Sequence, residues 1–215
     1  MRLKFLSELF GTTFLLMIIV GSGIMGENLA SGNEALALLA NSLATGLGLF
    51  VLIQSLGSLS GAHLNPVVSF VEMLWGRLSK QEMFTYWLAQ FVGAILGVFL
   101  THLMFNQEIL QVSLKNRNEP HLWLSEAIAT LGLICTIALA GRKHVEFAPL
   151  TIAAYITSAY WFTSSTSFAN PAVSLARSFT NTFCGIAPAG LAMFIVAQFM
   201  GAILSFYFLR KLPTI

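Results

Sequence analysis

The sequence predicts an all-α membrane protein built from six transmembrane helices and two shorter re-entrant half-helices, arranged as an inverted internal repeat. Composition is the first ground. The chain of 215 residues is 56% hydrophobic and 9% charged, and its mean hydropathy is +0.78, well outside the range of soluble globular proteins. The second ground is a set of six apolar segments of membrane-crossing length. The third is a pair of Asn-Pro dipeptides, at Asn65-Pro66 and Asn170-Pro171, each opening a segment too short to cross.

A bilayer core of roughly 30 Å needs about 20 apolar residues per helix, so a chain of this length is filled by its spans. The apolar segments run over 6–25, 35–57, 83–105, 122–140, 147–162 and 188–209. Short polar or Gly-bearing connections separate them. The two half-helices are expected over 65–75 and 170–184, because Asn caps a helix and Pro suits its first position. One transmembrane domain over 1–215 is expected, with repeats of about 1–110 and 118–215.

Arg2 and Lys4 ahead of an apolar run imitate a signal peptide. Three ordered internal matches argue that this first span is retained. LSELFGT at 6–12 recurs as LSEAIAT at 124–130, AQFVGAIL at 89–96 as AQFMGAIL at 197–204, and Asn65-Pro66-Val67-Val68-Ser69 as Asn170-Pro171-Ala172-Val173-Ser174. Such matches indicate a duplication. Each half holds three spans, an odd number, so the second copy inserts upside down. Assigning the connections to alternate sides puts Arg2, Lys4, Arg77, Lys80, Arg142, Lys143, Arg210 and Lys211 on one face and Lys115, Arg117 and Arg177 on the other. The positive-inside rule then makes both termini cytoplasmic.

Inversion brings the two half-helix N-termini together near the midplane, each carrying about half a positive charge from its macrodipole. That field opposes cations, including hydronium. The Asn65 and Asn170 amides can donate to a passing neutral molecule, and carbonyls of 58–64 and 163–169 can accept from it. Non-helical backbone at this depth is tolerated only inside protein or along a watery cavity, so a pathway is implied. Glu8 and Glu126 lie at membrane depth at matched places. Two roles fit them: a proton or cation relay, or a structural acceptor for backbone N–H groups of the loop in the same half. Gly93 and Gly97 form a G-x-x-x-G spacing for close helix packing.

These residues together resemble the aquaporin, or major intrinsic protein, family. The resemblance rests on Glu8, Glu126, Asn170-Pro171-Ala172, Ser60-Gly61-Ala62-His63-Leu64-Asn65-Pro66 and the repeated Ala-Gln-x-x-Gly, and extends over essentially the whole chain. It implies an aquaporin-like fold, one pore per subunit and a homotetramer. Val67 stands where the family's first motif usually has Ala. In most members an arginine three residues after the second Asn narrows the pore; here that place is Val173. Spacing carries the other filter positions to Thr45, Ser158 and Ser167. All four side chains are small, which implies a wider and less positive constriction, open to polyols as well as water. The stretch through Cys184-Gly185-Ile186 is similar to a bacterial branch lacking the filter arginine, some of whose members accompany arsenic resistance. Neutral arsenite joins the expected solutes on that ground.

Arg177 lies about two turns beyond Asn170, some 10 Å outward, and is expected at the outer vestibule, either attracting solute or as a snorkelling helix-end cation. His63 is expected to line the pore, as a pH gate or as a hydrogen-bonded wall residue. Cys135 and Cys184 offer neither a disulfide framework nor a metal site, and His102, His121 and His144 lack metal-ligand spacing. No cofactor, nucleic acid or enzymatic chemistry is expected. The partners are the lipid bilayer of a bacterial plasma membrane and the solutes themselves. An ion- or proton-coupled transporter is the competing function, since broken helices and inverted repeats build those too. Coupling needs ionisable groups at the substrate site, and the expected midplane offers only amides and carbonyls.

Overall fold

The structure, a computed structural model, describes residues 1–143 and 145–212; His144 and the side chains of 141–143, among them Arg142 and Lys143 with their expected placement, lie outside that description. The described residues form eight α-helices. These are α1 (Arg2–Leu29), α2 (Glu34–Ser60), α3 (Pro66–Leu74), α4 (Lys80–Met104), α5 (Pro120–Lys143), α6 (Ala148–Phe162), α7 (Pro171–Ala176) and α8 (Pro188–Leu209). Five of them, α1, α2, α4, α5 and α8, are long and apolar enough to cross a bilayer. The sixth expected span, α6, has 15 residues and is entered through a 3-10 turn at Val145–Phe147. At about 1.5 Å per residue it falls short of a full hydrocarbon thickness.

Local chemistry explains the helix ends. The Asn33 side chain accepts from Leu36 N–H at the start of α2, and Ser79 with Glu82 makes a reciprocal capping box at the start of α4. Helix α2 stops at Gly61, whose φ of 87° is open to glycine at little cost. The half-helices begin as the Asn-Pro pairs dictate. Asn65 and Asn170 both have φ of −157°, each side chain caps its own helix, and Pro takes the first position. Half-helix α7 is shorter than expected, ending at Ala176 and continuing as a 3-10 turn over Arg177–Phe179.

Two equivalent helix pairs form the frame: α1 packs on α4 and α5 on α8, with α2 lying against α6. A Cβ placed on Gly93 would stand 2.5 Å from the Leu9 carbonyl oxygen, and one on Gly201 would collide with that of Ala127. Only hydrogen at these places lets the backbones approach so closely. Large apolar side chains such as Leu47, Leu88, Leu124 and Val196 are exposed around the perimeter, as expected of a lipid-facing surface, while the centre holds the two half-helices.

Candidate functional site

The two half-helices abut N-terminus to N-terminus, and their capping residues bind across the join. Asn65 Nδ2 donates to the Ala169 carbonyl and Asn170 Nδ2 to the Leu64 carbonyl, both at 2.8 Å. The Asn65 Oδ1 accepts from Val67 N–H, and the Asn170 Oδ1 from Ala172 and Val173 N–H. Each amide thereby keeps one N–H with no protein acceptor among the described residues.

The loops leading into the half-helices are held by the buried glutamates. Glu8 accepts from the backbone N–H of His63 (2.9 Å) and Leu64 (2.7 Å), from Ser60 Oγ (2.6 Å) and from Gln90 Nε2 (2.8 Å). Glu126 accepts from the N–H of Phe168 (2.9 Å) and Ala169 (2.8 Å) and from Gln198 Nε2 (2.6 Å). Both carboxylates are fully buried. Of the two roles that the sequence allows, this geometry is that of the structural acceptor. Gln90 and Gln198 also donate to Ser69 and Ser174, whose hydroxyls donate to the carbonyls of Asn65 and Asn170.

This anchoring holds the loops in a strained conformation. Ala62, Leu64, Ser167 and Ala169 all have φ between 46° and 49°, a left-handed conformation costing about 1–2 kcal/mol per non-glycine residue. Among the described residues the carbonyls of Gly61, Ala62, His63, Ser167 and Phe168 have no protein donor, and all five residues line one cavity. Cavity-lining carbonyls without a protein partner take their donor from what fills the cavity.

That cavity has a volume of about 290 Å³. Its apolar wall includes matching places in the two halves, Leu15 and Ile19 of α1 with Leu133 and Ile137 of α5, together with Leu49 of α2 and Ile156 of α6. Against this wall stand the polar stripe of the two loops and the Asn amides. Toward one end lie His63, Val68 and Glu72; toward the other lie Phe168, Val173 and Arg177.

A family model described as Major intrinsic protein matches residues 2–159. The chain belongs to that family. A relative in it is the aquaglyceroporin AqpS of Rhizobium meliloti, 51% identical over 206 residues that cover 96% of this chain and 88% of that one. The aquaporin NIP2-2 of Zea mays is 31% identical over 193 residues, 85% of this chain and 64% of that one. Among solved structures, the aquaglyceroporin from Plasmodium falciparum superposes with a TM-score of 0.79 at 21% identity, covering 98% of this chain and 96% of that one. This multi-pass member of the major intrinsic protein family thus shares the fold of an aquaglyceroporin.

Thr45, Ser167 and Val173 line the cavity, as do Asn65, Asn170 and His63. Pro66, Val67, Pro171 and Ala172 are buried in the half-helices behind them. His63 is a bonded wall residue here, with Nδ1 3.0 Å from Ser69 Oγ and its ring 5.0 Å from that of Tyr86. Two expectations need correction. Ser158 is exposed on α6, donates to the Tyr155 carbonyl and does not line the cavity. Tyr160 takes the wall place on that helix, its hydroxyl donating to Thr45 Oγ1 at 3.3 Å. The cause is helix phase: Ser158 shares its face of α6 with the exposed Thr151, Ala154 and Trp161, whereas the buried Ile152, Ile156 and Tyr160 line the cavity. The loop of seven residues (163–169) before Asn170, against four (61–64) before Asn65, leaves that phase unmarked by the repeat. Arg177, expected in the vestibule, is only 2% exposed and is part of the cavity wall. With Tyr160, Phe168 and Arg177 in it, the cavity wall is bulkier and more positive than the four small residues alone imply.

Phe168 and Arg177 were legible in the repeat. They lie at the same spacing from His63 and Glu72 as Asn170 does from Asn65. Tyr160 had no such signal, because the unequal loops break the register.

Proposed function

We propose that this chain is a passive membrane channel for water and small neutral solutes such as glycerol, with uncharged metalloid hydroxides such as arsenite in the same size class. The pair of Asn amides, each with one N–H tied across the join and one free, carries this reading. A molecule at the join can accept from both, beside two helix N-termini whose partial positive charges repel cations. The apolar wall gives a water file few other partners, so passage needs little energy to leave each site.

The coupled-transporter alternative would need an ionisable group free to change its proton at the join. Both oxygens of Glu8 and of Glu126 are instead engaged by loop and glutamine N–H donors. No chemical conversion of the solute belongs to this reading. The end carrying Glu72 is taken as cytoplasmic, together with both termini, because Lys4 pairs with Glu82 and Arg77 with Glu72 there. The assembly is read as a homotetramer in a bacterial plasma membrane.

Reconstitution into liposomes tests the channel. Stopped-flow light scattering with water, glycerol and urea, and tracer uptake of arsenite, should all exceed protein-free vesicles without an ion gradient. Uptake that required a proton or sodium gradient would sink the channel reading.

A further inference from the structure

Half-helix α7 places Asn170, Val173 and Arg177 on one face, since the intervals of three and seven residues return to the same side of a helix. Val173 is short and leaves the cavity open at its own level. One turn beyond, the Arg177 guanidinium is drawn inward. Its Nε donates to the Cys184 carbonyl and its central carbon lies 3.4 Å from the Phe168 ring centroid. Neither terminal nitrogen has a protein acceptor among the described residues, and the side chain forms part of the cavity wall. Nearby, the buried Ser167 Oγ also lacks a partner. Those are donors aimed at cavity contents.

Fixed positive charge accumulates around this end. Arg117 is buried, donating through Nε to the Gly185 carbonyl and through Nη1 to that of Ser165, with its guanidinium 5.1 Å from Phe168. No carboxylate pairs with Arg117, Arg177 or Lys115 among the described residues. Burial, with Arg117 and Arg177 nearby, holds the Lys115 ammonium below the ordinary lysine range. The matched position at the opposite end, Glu72, carries the opposite charge.

We propose that Arg177 is the specificity-determining cation of this channel: from one turn beyond Val173 it excludes cations and, with Ser167, donates to the oxygens of uncharged hydroxyl- or amide-bearing solutes. This rests on the neutral-solute channel reading and names the residue that enforces it. Val173 carries no charge at its own level, and Arg177 supplies one a turn further along the half-helix.

The test compares methylammonium with urea, a cation and a neutral solute of similar size, in proteoliposomes of the full chain. The ratio of their permeabilities is read for the wild type, Arg177→Met and Arg177→Lys. A unit charge several ångströms from the path, at an effective dielectric near 20, should change cation passage by about tenfold or more. Arg177→Met should therefore raise the methylammonium-to-urea ratio at least tenfold, and Arg177→Lys should keep it near wild type. Adding Val173→Arg to Arg177→Met should bring the ratio back down. A purely structural role would scale both fluxes together, and a ratio within twofold of wild type in Arg177→Met overturns the proposal. If Arg177→Met is not monodisperse, Arg177→Gln, which keeps a donor for the Cys184 carbonyl, is judged by the same ratio. Wild-type vesicles no faster for urea than empty ones would instead remove the channel reading, and this inference with it.

Discussion

The two half-channels share a scaffold and differ in what they show the solute. In each, a buried glutamate grips two consecutive loop N–H groups, a glutamine bridges it to a serine of the half-helix, and an asparagine binds across the join. In one half the wall then continues as His63, Val68 and Glu72, and in the other as Phe168, Val173 and Arg177. The lesson is a division of labour. Holding a strained loop inside a membrane is one problem with one solution, used twice, whereas selection among solutes needs different groups at the two ends.

The largest test of that comparison removes the shared scaffold. Glu8→Leu and Glu126→Leu each strand two buried loop N–H groups and a glutamine amide. Each should lower stability by about 3 kcal/mol or more, measured as thermal unfolding in detergent, and should abolish water flux. A cost under about 1 kcal/mol in one half alone would break the equivalence.

The next test acts on the difference. Val173→Arg adds a second guanidinium beside Arg177 and fills the open level of the wall, so glycerol flux should fall about tenfold or more while some water flux remains. Unchanged glycerol flux in a well-expressed variant would place the constriction elsewhere. Tyr160→Ala should act in the opposite sense and more weakly. Opening the wall beside Thr45 should raise passage of solutes larger than glycerol roughly fivefold, read as swelling with a four-carbon polyol. The smallest effect belongs to Ser158→Ala. Its side chain is exposed and bonds only to its own helix, so stability should move by less than about 0.5 kcal/mol and solute ratios should hold. A selectivity change there would restore Ser158 to the filter.

Much of the site was legible because inverted repetition turns local motifs into tertiary statements. The recurrence of Glu8 as Glu126 ahead of the second loop made loop support one of two roles open to them, and the hydrogen bonds to His63, Leu64, Phe168 and Ala169 selected it; the meeting of Asn65 with Asn170 follows from two caps that must share the midplane. Filter positions counted along the chain fared unevenly. Val173 and Ser167 are close to the capped Asn170, so little can intervene. Ser158 lies beyond the seven-residue loop 163–169, where spacing from Asn170 does not fix the phase of α6, and a two-residue slip turns a helix by about 200°, enough to exchange the lipid face for the pore face. Arg177 was placed outward by helix rise alone, which takes no account of a long side chain folding back onto an aromatic ring.

Sequence alone determined the class and plan of this protein: a membrane chain of two related halves with paired Asn-Pro caps. Hydrophobic length, capping chemistry and repetition are properties of the chain itself. The tertiary structure decided which side chains line the cavity. That depends on where loops of different length release each helix, and on the Phe168 ring and Cys184 carbonyl that draw the Arg177 guanidinium inward. Burying a cation requires acceptors brought from elsewhere in the fold.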